Sequence, residues 1–333
     1  MPEAKKEPRN GRIITFYSYK GGTGRTMALA NIAWILAANG YRVLIADWDL
    51  ESPGLHRFLY PFLERVIRDA HGVIDLIRDY EWVAARSDDE QRERHIIEHA
   101  RIQRYAFSLN WPFPDGGCLD FMSPGKQNTD YLATLSALDW DTFYGTLKGG
   151  KFLDAVREEM RRHYDYALID SSSGLGDIPA ICTVHLPDIL VDCFLLSTQN
   201  IEGAVQIARL ILDLYASRSI RVLPVPTRVD LTEKERAEAG RAFAIRSFAG
   251  LPVGMSVAER NEYWASVEVP YRPAYAFEEV LAVFGDAPGD PASLLSSFER
   301  IAAYITEGSV TGLPPMDEEL RNSTRQLFLR GPG

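Results

Sequence analysis

The sequence is poor in cysteine and in long apolar segments. Its three cysteines, Cys118, Cys182 and Cys193, form no C-x-x-C pair. Such an odd, sparse set argues against a disulfide framework and is typical of a reducing compartment. No run approaches the roughly 18 apolar residues that a membrane span needs. The polar N-terminus MPEAKKEPRNGR lacks the apolar core of a signal peptide. We therefore expect a cytoplasmic protein and do not expect membrane association.

An excess of basic residues is also missing. The formal net charge is −10 over 333 residues and the pI is about 5.2, whereas a duplex DNA binder usually shows a basic surface. Four arginines lie between residues 92 and 104, but Glu93 and Glu98 interrupt them and favour a mixed surface. Nucleic-acid binding is therefore left open but not favoured. With 46% hydrophobic and 25% charged residues, the composition is that of a globular protein with a large core.

Strand-like and helix-like segments alternate along the chain. IITFY is short and β-rich, and TMALANIAWILAA is apolar on nearly every side, which predicts a buried strand and a helix packed on it. YRVLIADWD, YDYALID, DILVDCFLL and IRVLPVP repeat the strand pattern. The alternation predicts an α/β fold with a three-layer, doubly wound and mostly parallel sheet. We expect one domain over 12–308, elaborated at about 56–150. A flexible tail is expected over 1–11, and a tail or linker over 309–333.

The stretch KGGTGRT follows the first strand and opens the first helix. Glycines can serve a tight turn by adopting positive φ, but a turn needs fewer of them. Gly22-x-Gly24 also begins the G-x-G-x-x-G/A fingerprint of a dinucleotide fold, although Met27 stands where its third small residue belongs. A phosphate-binding loop fits better, because backbone N–H groups at a helix N-terminus surround phosphate oxygens. Arg25 then supplies a cation, and Thr26 supplies a hydroxyl ligand for Mg²⁺.

The same stretch resembles the deviant Walker A motif of ParA/MinD-type P-loop ATPases, in their KGGVGR-motif bacterial subgroup. In that family the first glycine of the usual motif, where Tyr19 stands here, is not required. The resemblance also includes YDYALIDSSSG and PYRPAYAFEEVLAVFGD. It implies a P-loop NTPase fold with ATP and Mg²⁺ as cofactors. It further implies a homodimer formed through bound nucleotide, in which Lys20 is catalytic and reaches the phosphates of the second subunit. The implied nucleotide-binding residues of the loop are Lys20, Gly21, Gly22, Thr23, Gly24, Arg25, Thr26 and Met27.

Three acids at strand ends are candidates for binding the metal and the attacking water. Asp170 ends an apolar strand, where a Walker B acid would hold Mg²⁺ together with Thr26; capping of a helix is the alternative. Asp47 and Asp49 end the strand that follows the first helix. By resemblance, Asp47 supports the metal and Asp49 is catalytic because it positions the water. A solvated loop is the alternative for these two acids.

Recognition of the nucleotide base is implied on the far side of the sheet. Arg228 in PTRVD and Pro270-Tyr271 in VEVPYRP stand where related proteins contact adenine. An arginine or a tyrosine can stack on a purine, but use at the surface remains the alternative. The sequence has no N-K-x-D motif and therefore leaves ATP and GTP undistinguished.

His95, Glu98 and His99 match the inverted zinc-protease pattern H-x-x-E-H. Histidines four residues apart share one face of a helix and can hold zinc. The surrounding sequence SDDEQRERHIIEHARIQR is rich in charge, which favours a solvated helix face over a metal site.

Together these features predict a slow Mg²⁺-dependent ATPase that acts as a dimerisation switch for a protein partner. Two alternatives stay open. Ser172-Ser173 replaces an arginine that related sequences often carry, and together with Arg25 it would suit a nucleotide-bound scaffold that does not hydrolyse. A bacterial tyrosine kinase shares the loop, but its C-terminal tyrosine cluster has no counterpart, since Tyr304 is the last tyrosine.

Overall fold

A seven-stranded sheet forms the centre of the described chain. The computed structural model describes residues 10–63 and 70–329, so most of the predicted tail over 1–11 lies outside the described residues. The order across the sheet, numbered along the chain, is β3-β4-β2-β5-β1-β6-β7, and only the β3–β4 pair is antiparallel. The strands are β1 Arg12–Tyr17, β2 Arg42–Trp48, β3 Phe107–Ser108, β4 Cys118–Met122, β5 Tyr166–Ser171, β6 Ile189–Phe194 and β7 Arg221–Pro226.

Helices cover both faces of this sheet. Within the described ranges, none of them is long and apolar enough to cross a bilayer. They are α1 Arg25–Ala38, α2 Val73–Ala84, α3 Asp89–His99, α4 Tyr131–Ser136, α5 Trp140–Gly145, α6 Gly149–His163, α7 Asp177–Ala180, α8 Thr198–Leu214, α9 Lys234–Ser247, α10 Val257–Ser266, α11 Pro273–Glu278, α12 Ala282–Gly285, α13 Leu294–Ile305 and α14 Glu318–Leu329.

The two faces of each central strand pack on different helices. In β1, Ile14 and Phe16 lie in the core that contains α1 and α13, whereas Ile13 and Tyr17 lie on the opposite face with α2, α6 and α8. Helix α1 is enclosed between the sheet and α13, which explains why its sequence is apolar on nearly every side. This three-layer arrangement confirms the predicted α/β doubly wound fold.

The segment 56–150, predicted as an elaboration, contributes strands to the same sheet. Strand β4 pairs with β2 in parallel, and β3 adds an antiparallel edge. Helices α2 and α3 pack against each other, and α3 also contacts α6, which returns the chain to β5. The segment therefore shares its core with the central strands.

The segment 309–333, predicted as a tail or linker, contains the docked helix α14. Phe328 is buried, and its ring centroid lies 5.7 Å from that of Tyr60, 5.8 Å from Phe62 and 6.0 Å from Phe284. The Tyr60 hydroxyl donates to the Phe328 carbonyl oxygen at 2.6 Å. The structure differs from the prediction here because this aromatic contact joins positions far apart in sequence, and the helix itself carries few apolar residues.

Phe328→Ala should release α14 and lower the free energy of unfolding. Removing a packed aromatic side chain from a core typically costs about 3–5 kcal/mol, and urea denaturation measures the loss. Leu327→Ala is the matched control on the same helix, because its side chain is 43% exposed; its effect should stay below about 1 kcal/mol. Equal effects of the two substitutions would contradict the anchoring role of Phe328.

Strand β6 buries a carboxyl group without a partner. Asp192 is fully buried, and neither of its oxygens has a hydrogen-bond partner in residues 10–63 or 70–329. Burial raises the pKa of Asp192 well above its ordinary value, because the interior disfavours the charged form. The folded chain therefore binds this proton more tightly than the unfolded chain does. The resulting stability is complete below the ordinary pKa of about 4 and is lost as the pH rises towards the raised value.

Asp192→Asn should remove this pH dependence. We expect the variant to match the wild type near pH 4 and to become more stable than it as the pH rises. The gain is at most about 1.4 kcal/mol per pH unit for one proton. Urea denaturation at several pH values between 4 and 8 measures it. Asp213→Asn, on the exposed side of α8, should keep the wild-type slope. A wild-type slope in Asp192→Asn would show that this carboxyl ionises freely in the folded chain.

Candidate functional site

The carboxyl ends of the central strands meet at one edge of the sheet. Parallel pairing sets Asp47 of β2 opposite Asp170 of β5, and Phe16 of β1 opposite Asp170 on the other side. Asp47 and Asp170 are both fully buried. This register places two of the predicted acids beside the segment that follows β1, which is the topological position at which α/β sheets bind ligands.

The segment between β1 and α1 is a glycine loop with left-handed turns. Gly22 has φ 77° and Gly24 has φ 89°, conformations that a side chain disfavours. Gly24 is also the N-cap residue of α1, whose first turn has no side-chain cap and no acidic residue. The first N–H groups of α1 are thus left for an external acceptor, and a helix N-terminus favours an anion.

Tyr19 and Lys20 precede the glycines and, unlike the loop residues that follow them, do not line the adjacent cavity. The Tyr19 ring lies so close to Gly203 of α8 that a Cβ there would stand 2.1 Å from the ring. This contact anchors the start of the loop on α8. Lys20 is partly exposed, and within the described residues it has no ion-pair partner and does not line the adjacent cavity. Its ammonium group therefore has no assigned ionic contact within the described residues.

Arg25 is buried at the centre of the site. Its Nε donates to Asp170 Oδ1 at 2.6 Å, and its Nη2 donates to Asp49 Oδ2 at 2.8 Å. Only 7% of its side chain is exposed. Burial alone would lower the pKa of Arg25, but the charges of Asp170 and Asp49 outweigh that effect and raise it. Thr26 Oγ1 donates to the other oxygen of Asp170 at 2.7 Å. One guanidinium group thus joins two of the predicted functional acids.

Asp47 holds the backbone of the following loop. Its Oδ1 accepts from the Asp49 N–H at 3.1 Å and its Oδ2 from the Leu55 N–H at 3.2 Å. Burial and the nearby Asp170 and Asp49 raise the pKa of Asp47 well above its ordinary value. Burial also raises the pKa of Asp49, while Arg25 opposes that shift. The three acids therefore form one electrostatically linked cluster in which Arg25 is the balancing cation.

The predicted base-recognition residues come together on the other side of the glycine loop. Val229 pairs with Pro270 as an isolated parallel bridge, which sets Arg228 beside Tyr271. The Arg228 guanidinium lies 4.7 Å from the centre of the Tyr271 ring and donates to the Gly22 carbonyl oxygen at 2.8 Å. Segments distant in the sequence thus present a flat cation and an aromatic ring next to the glycine loop.

The segment that follows β5, which begins with Ser172 and Ser173, forms another wall of the site. Ser172 and Ser173 line the cavity, and the Ser172 hydroxyl is buried without a hydrogen-bond partner in the described residues. The Tyr17 hydroxyl donates to the Gly174 carbonyl oxygen at 2.9 Å. The end of β1 therefore fixes this segment as well as the glycine loop.

One cavity of about 570 Å³ connects these parts, a volume within the range of small-molecule sites. Lys20, Asp47 and Asp170 do not line its wall; the two acids lie beneath the lining loops.

Sequence reasoning missed Phe58, Arg272, Tyr275 and Glu279. Tyr275 lies only four residues after Tyr271, which is the signal that could have found it. The predicted residues that line the cavity are Gly21, Gly22, Thr23, Gly24, Arg25, Thr26, Met27, Asp49, Arg228, Pro270 and Tyr271.

The donor groups fit a nucleotide phosphate and a magnesium ion. The hydroxyl of Thr23, a residue of the glycine loop, is buried and has no hydrogen-bond partner in the described chain. A phosphate oxygen would accept the hydrogen bond that this hydroxyl can donate. The Thr26 hydroxyl and the Asp170 carboxylate are oxygen donors in direct contact, and Mg²⁺ prefers oxygen ligands. Asp47 pairs opposite Asp170 in the sheet and accepts a backbone N–H at each of its oxygens, so it would support the ion from beside the Thr26–Asp170 contact.

The H-x-x-E-H residues lie far from this cavity on α3. The ligand atoms of His95, Glu98 and His99 all lie within 4.8 Å of one another. Glu98 Oε2 stands 3.3 Å from His95 Nδ1, and 59% of the Glu98 side chain is exposed. The three side chains therefore have the spacing of a metal site, and the solvated helix face that the sequence favours stays a prediction.

Comparison with known proteins places the chain among nucleotide-binding domains. The sequence profile described as "CobQ/CobB/MinD/ParA nucleotide binding domain" matches residues 14–269. A protein of Nephroselmis olivacea, named as a septum site-determining protein MinD, is 27% identical over 201 residues. That match covers 51% of this chain and 72% of the relative.

Two solved structures have the same fold at low sequence identity. An ATP complex of a McdA variant from Cyanothece has a TM-score of 0.62 and 17% identity, and the match covers 90% of this chain and 97% of that one. MinD of Pyrococcus horikoshii with Mg-ADP has a TM-score of 0.57 and 16% identity, with 90% and 99% covered. The family match spans more than half of the sequence and includes the glycine loop and all three acids. The chain therefore belongs to the CobQ/CobB/MinD/ParA family of nucleotide-binding domains.

Proposed function

We propose that this protein is a ParA/MinD-type ATPase that binds Mg²⁺-ATP, dimerises through it, hydrolyses it slowly and thereby controls a protein partner in the cytoplasm. The observation that carries the proposal is the convergence of the glycine loop, Asp49 and the Arg228–Tyr271 pair on one cavity, with Asp47 and Asp170 beneath its lining. The loop suits the phosphates of ATP, the acids suit its metal ion and water, and the Arg228–Tyr271 pair suits its base.

The phosphates would lie on the glycine loop and the base against Tyr271. Backbone N–H groups of the loop and the start of α1 suit the β- and γ-phosphate oxygens, and the Thr23 hydroxyl lacks a partner in the described chain. Tyr271 and Arg228 offer a stacking surface for a purine. Adenine over guanine remains an inference from family resemblance, since nothing in the sequence excludes GTP.

Thr26 and Asp170 would hold Mg²⁺, with Asp47 supporting them from behind. When bound, the ion would neutralise charge on the β- and γ-phosphates. Asp49 stands at the cavity wall and would orient a water molecule against the γ-phosphorus. Attack by that water breaks the bond to the oxygen between the β- and γ-phosphates, and inorganic phosphate and ADP leave.

The partly exposed Lys20 supports a role across a dimer. Its ammonium group does not line its own cavity, whereas Arg25 already provides the internal cation. A second subunit docked over the cavity mouth would receive Lys20 at its phosphates. Loss of the γ-phosphate would remove that contact and release the dimer.

Asp49→Ala should abolish most hydrolysis and leave dimerisation intact, because the residue acts on water and not on the subunit interface. Loss of a water-orienting base typically lowers turnover by about 100-fold or more. Phosphate release measures turnover, and ATP-dependent light scattering measures the dimer. Wild-type turnover in this variant would assign the role of Asp49 to another group.

Lys20→Ala should bind ATP as a monomer and fail to dimerise. Truncating one partner of a buried charge pair weakens an interface by about 30-fold or more. Light scattering with and without ATP measures dimerisation, and calorimetry at low protein concentration measures binding by the monomer. If the variant dimerises as well as the wild type, the cross-subunit role is wrong. A loss of monomer binding would instead place Lys20 in its own site.

A protein partner would dock on the segment 56–150. Large apolar side chains are exposed there: Trp82 by 62%, Ile97 by 70% and Leu132 by 68%. Exposed apolar groups of this size are typical of interaction surfaces when they cluster. Co-purification from native cells, repeated with Trp82→Ala, tests the proposal, and an unchanged set of partners would contradict it.

A non-hydrolysing scaffold is the second candidate function. Arg25 is paired with Asp49, the acid that would orient water, so hydrolysis requires this ion pair to open. Stoichiometric bound nucleotide without phosphate release would favour the scaffold over the ATPase.

A further inference from the structure

Every carboxylate oxygen of Asp47, Asp49 and Asp170 already accepts a hydrogen bond. Asp47 uses both oxygens for backbone N–H groups of Asp49 and Leu55. Asp49 Oδ1 accepts from the Ser52 N–H at 3.3 Å, and Asp170 Oδ2 accepts from the Thr26 hydroxyl. The remaining two oxygens, one on Asp49 and one on Asp170, both bind Arg25. A cation that needs carboxylate ligands here therefore meets oxygens that already accept hydrogen bonds, and two of these oxygens are paired with the Arg25 charge.

Among these hydrogen bonds, the two donated by Arg25 are the ones that a bound nucleotide can break. The loops that bind Asp47 and Asp49 supply backbone N–H groups, which are fixed by the fold. Arg25 instead belongs to the first turn of α1 and lines the cavity next to the glycine loop. A phosphate group arriving on the loop offers the guanidinium a stronger, doubly charged acceptor, since arginine binds phosphate in a bidentate fork.

Movement of Arg25 would uncover one oxygen of Asp170, the metal ligand proposed above, and one oxygen of Asp49, which can bind a water molecule of the same ion. Asp49 Oδ2 and Asp170 Oδ1 bind adjacent nitrogen atoms of a single guanidinium group, so they are close neighbours that point to one place. Two carboxylate oxygens beside the Thr26 hydroxyl form the all-oxygen surroundings that Mg²⁺ and Mn²⁺ favour. The bound metal ion would then supply the positive charge that Arg25 supplies to the two acids without nucleotide.

We propose that Arg25 is an internal counter-ion that keeps divalent metal out of the site until nucleotide phosphate draws it away. Metal and nucleotide then enter as a linked pair, because each binds better when the other is present. The nucleotide-free protein is held in a metal-free state, with the water-orienting Asp49 tied to the loop cation. The inference rests on the proposed function in taking the glycine loop as a phosphate site.

Binding of Mn²⁺ to the nucleotide-free full chain tests the counter-ion directly. The paramagnetic resonance signal of free Mn²⁺ reports its binding without any need for turnover. We expect weak binding by the wild type and binding tighter by about tenfold or more in Arg25→Met, because removing a neighbouring like charge shifts ionic equilibria by that order. The matched control is Lys20→Met, which removes one positive charge from the same loop. It should stay within about twofold of the wild type, since Lys20 has no acid partner in the described chain.

Arg25→Lys keeps the experiment decisive if Arg25→Met does not fold. A single ammonium group can pair with one of the two acids but lacks the fork that joins both, so Mn²⁺ should bind more tightly than to the wild type. A folded Arg25 variant that binds Mn²⁺ no better than the wild type overturns the proposal. An equal gain in Lys20→Met also overturns it, because net charge would then be the cause.

A separate titration distinguishes this inference from the proposed function. Binding of ATP with Mg²⁺ to the wild type is measured by calorimetry, and its absence would refute the ATPase proposal while leaving the nucleotide-free Mn²⁺ comparison meaningful. If ATP binds, adding it should raise the affinity of the wild type for Mn²⁺ by about tenfold or more. An unchanged Mn²⁺ affinity in the presence of bound ATP would refute the linkage.

Discussion

The buried ion pairs of Arg25 with Asp49 and Asp170 are the interactions on which the site depends. Two acidic strand ends meet at the edge of the sheet, and burial makes their negative charge costly. A single guanidinium group satisfies one oxygen on each. In the proposed mechanism, this arrangement sets where a metal would bind, where water would be held and which group must move first. The site starts with Arg25 paired to both acids.

Backbone hydrogen bonds connect this charge cluster to the loops around it. Asp47 fixes the loop after β2 by accepting from the Leu55 N–H. The short helical turns that follow carry Phe58, which lines the cavity, and Phe62, which packs against Phe328 of α14. A C-terminal helix and the acid cluster thus share one continuous support. Helix α14 therefore packs on the same short turns that border the cavity.

The sequence predicted the local elements and their functional groups more fully than it predicted contacts between distant residues. The run KGGTGRT and the apolar strands around it predicted the loop, the helix and the parallel sheet, because these depend on neighbours in the chain. The aromatic contacts of Tyr19 with Gly203 and of Phe328 with Tyr60 were not predicted, because each joins residues far apart in sequence. Phe58 was missed in the cavity for the same reason, whereas Arg272, Tyr275 and Glu279 lie close in sequence to the predicted Tyr271 and could have been found from it. The functional roles of Lys20, Asp47 and Asp49 stay predictions.

The sequence by itself determined which groups could act on a nucleotide. Glycines at 21, 22 and 24 marked the loop, and Asp170 was marked by its place at the end of an apolar strand. Only the tertiary structure decided that Arg25 binds two acids, since strand order and register bring β2 beside β5. Only it decided that Lys20 lies outside the cavity, because packing of Tyr19 on α8 directs the start of the loop. Spacing along a chain specifies local geometry, whereas the pairing of distant charges follows from how the strands are ordered.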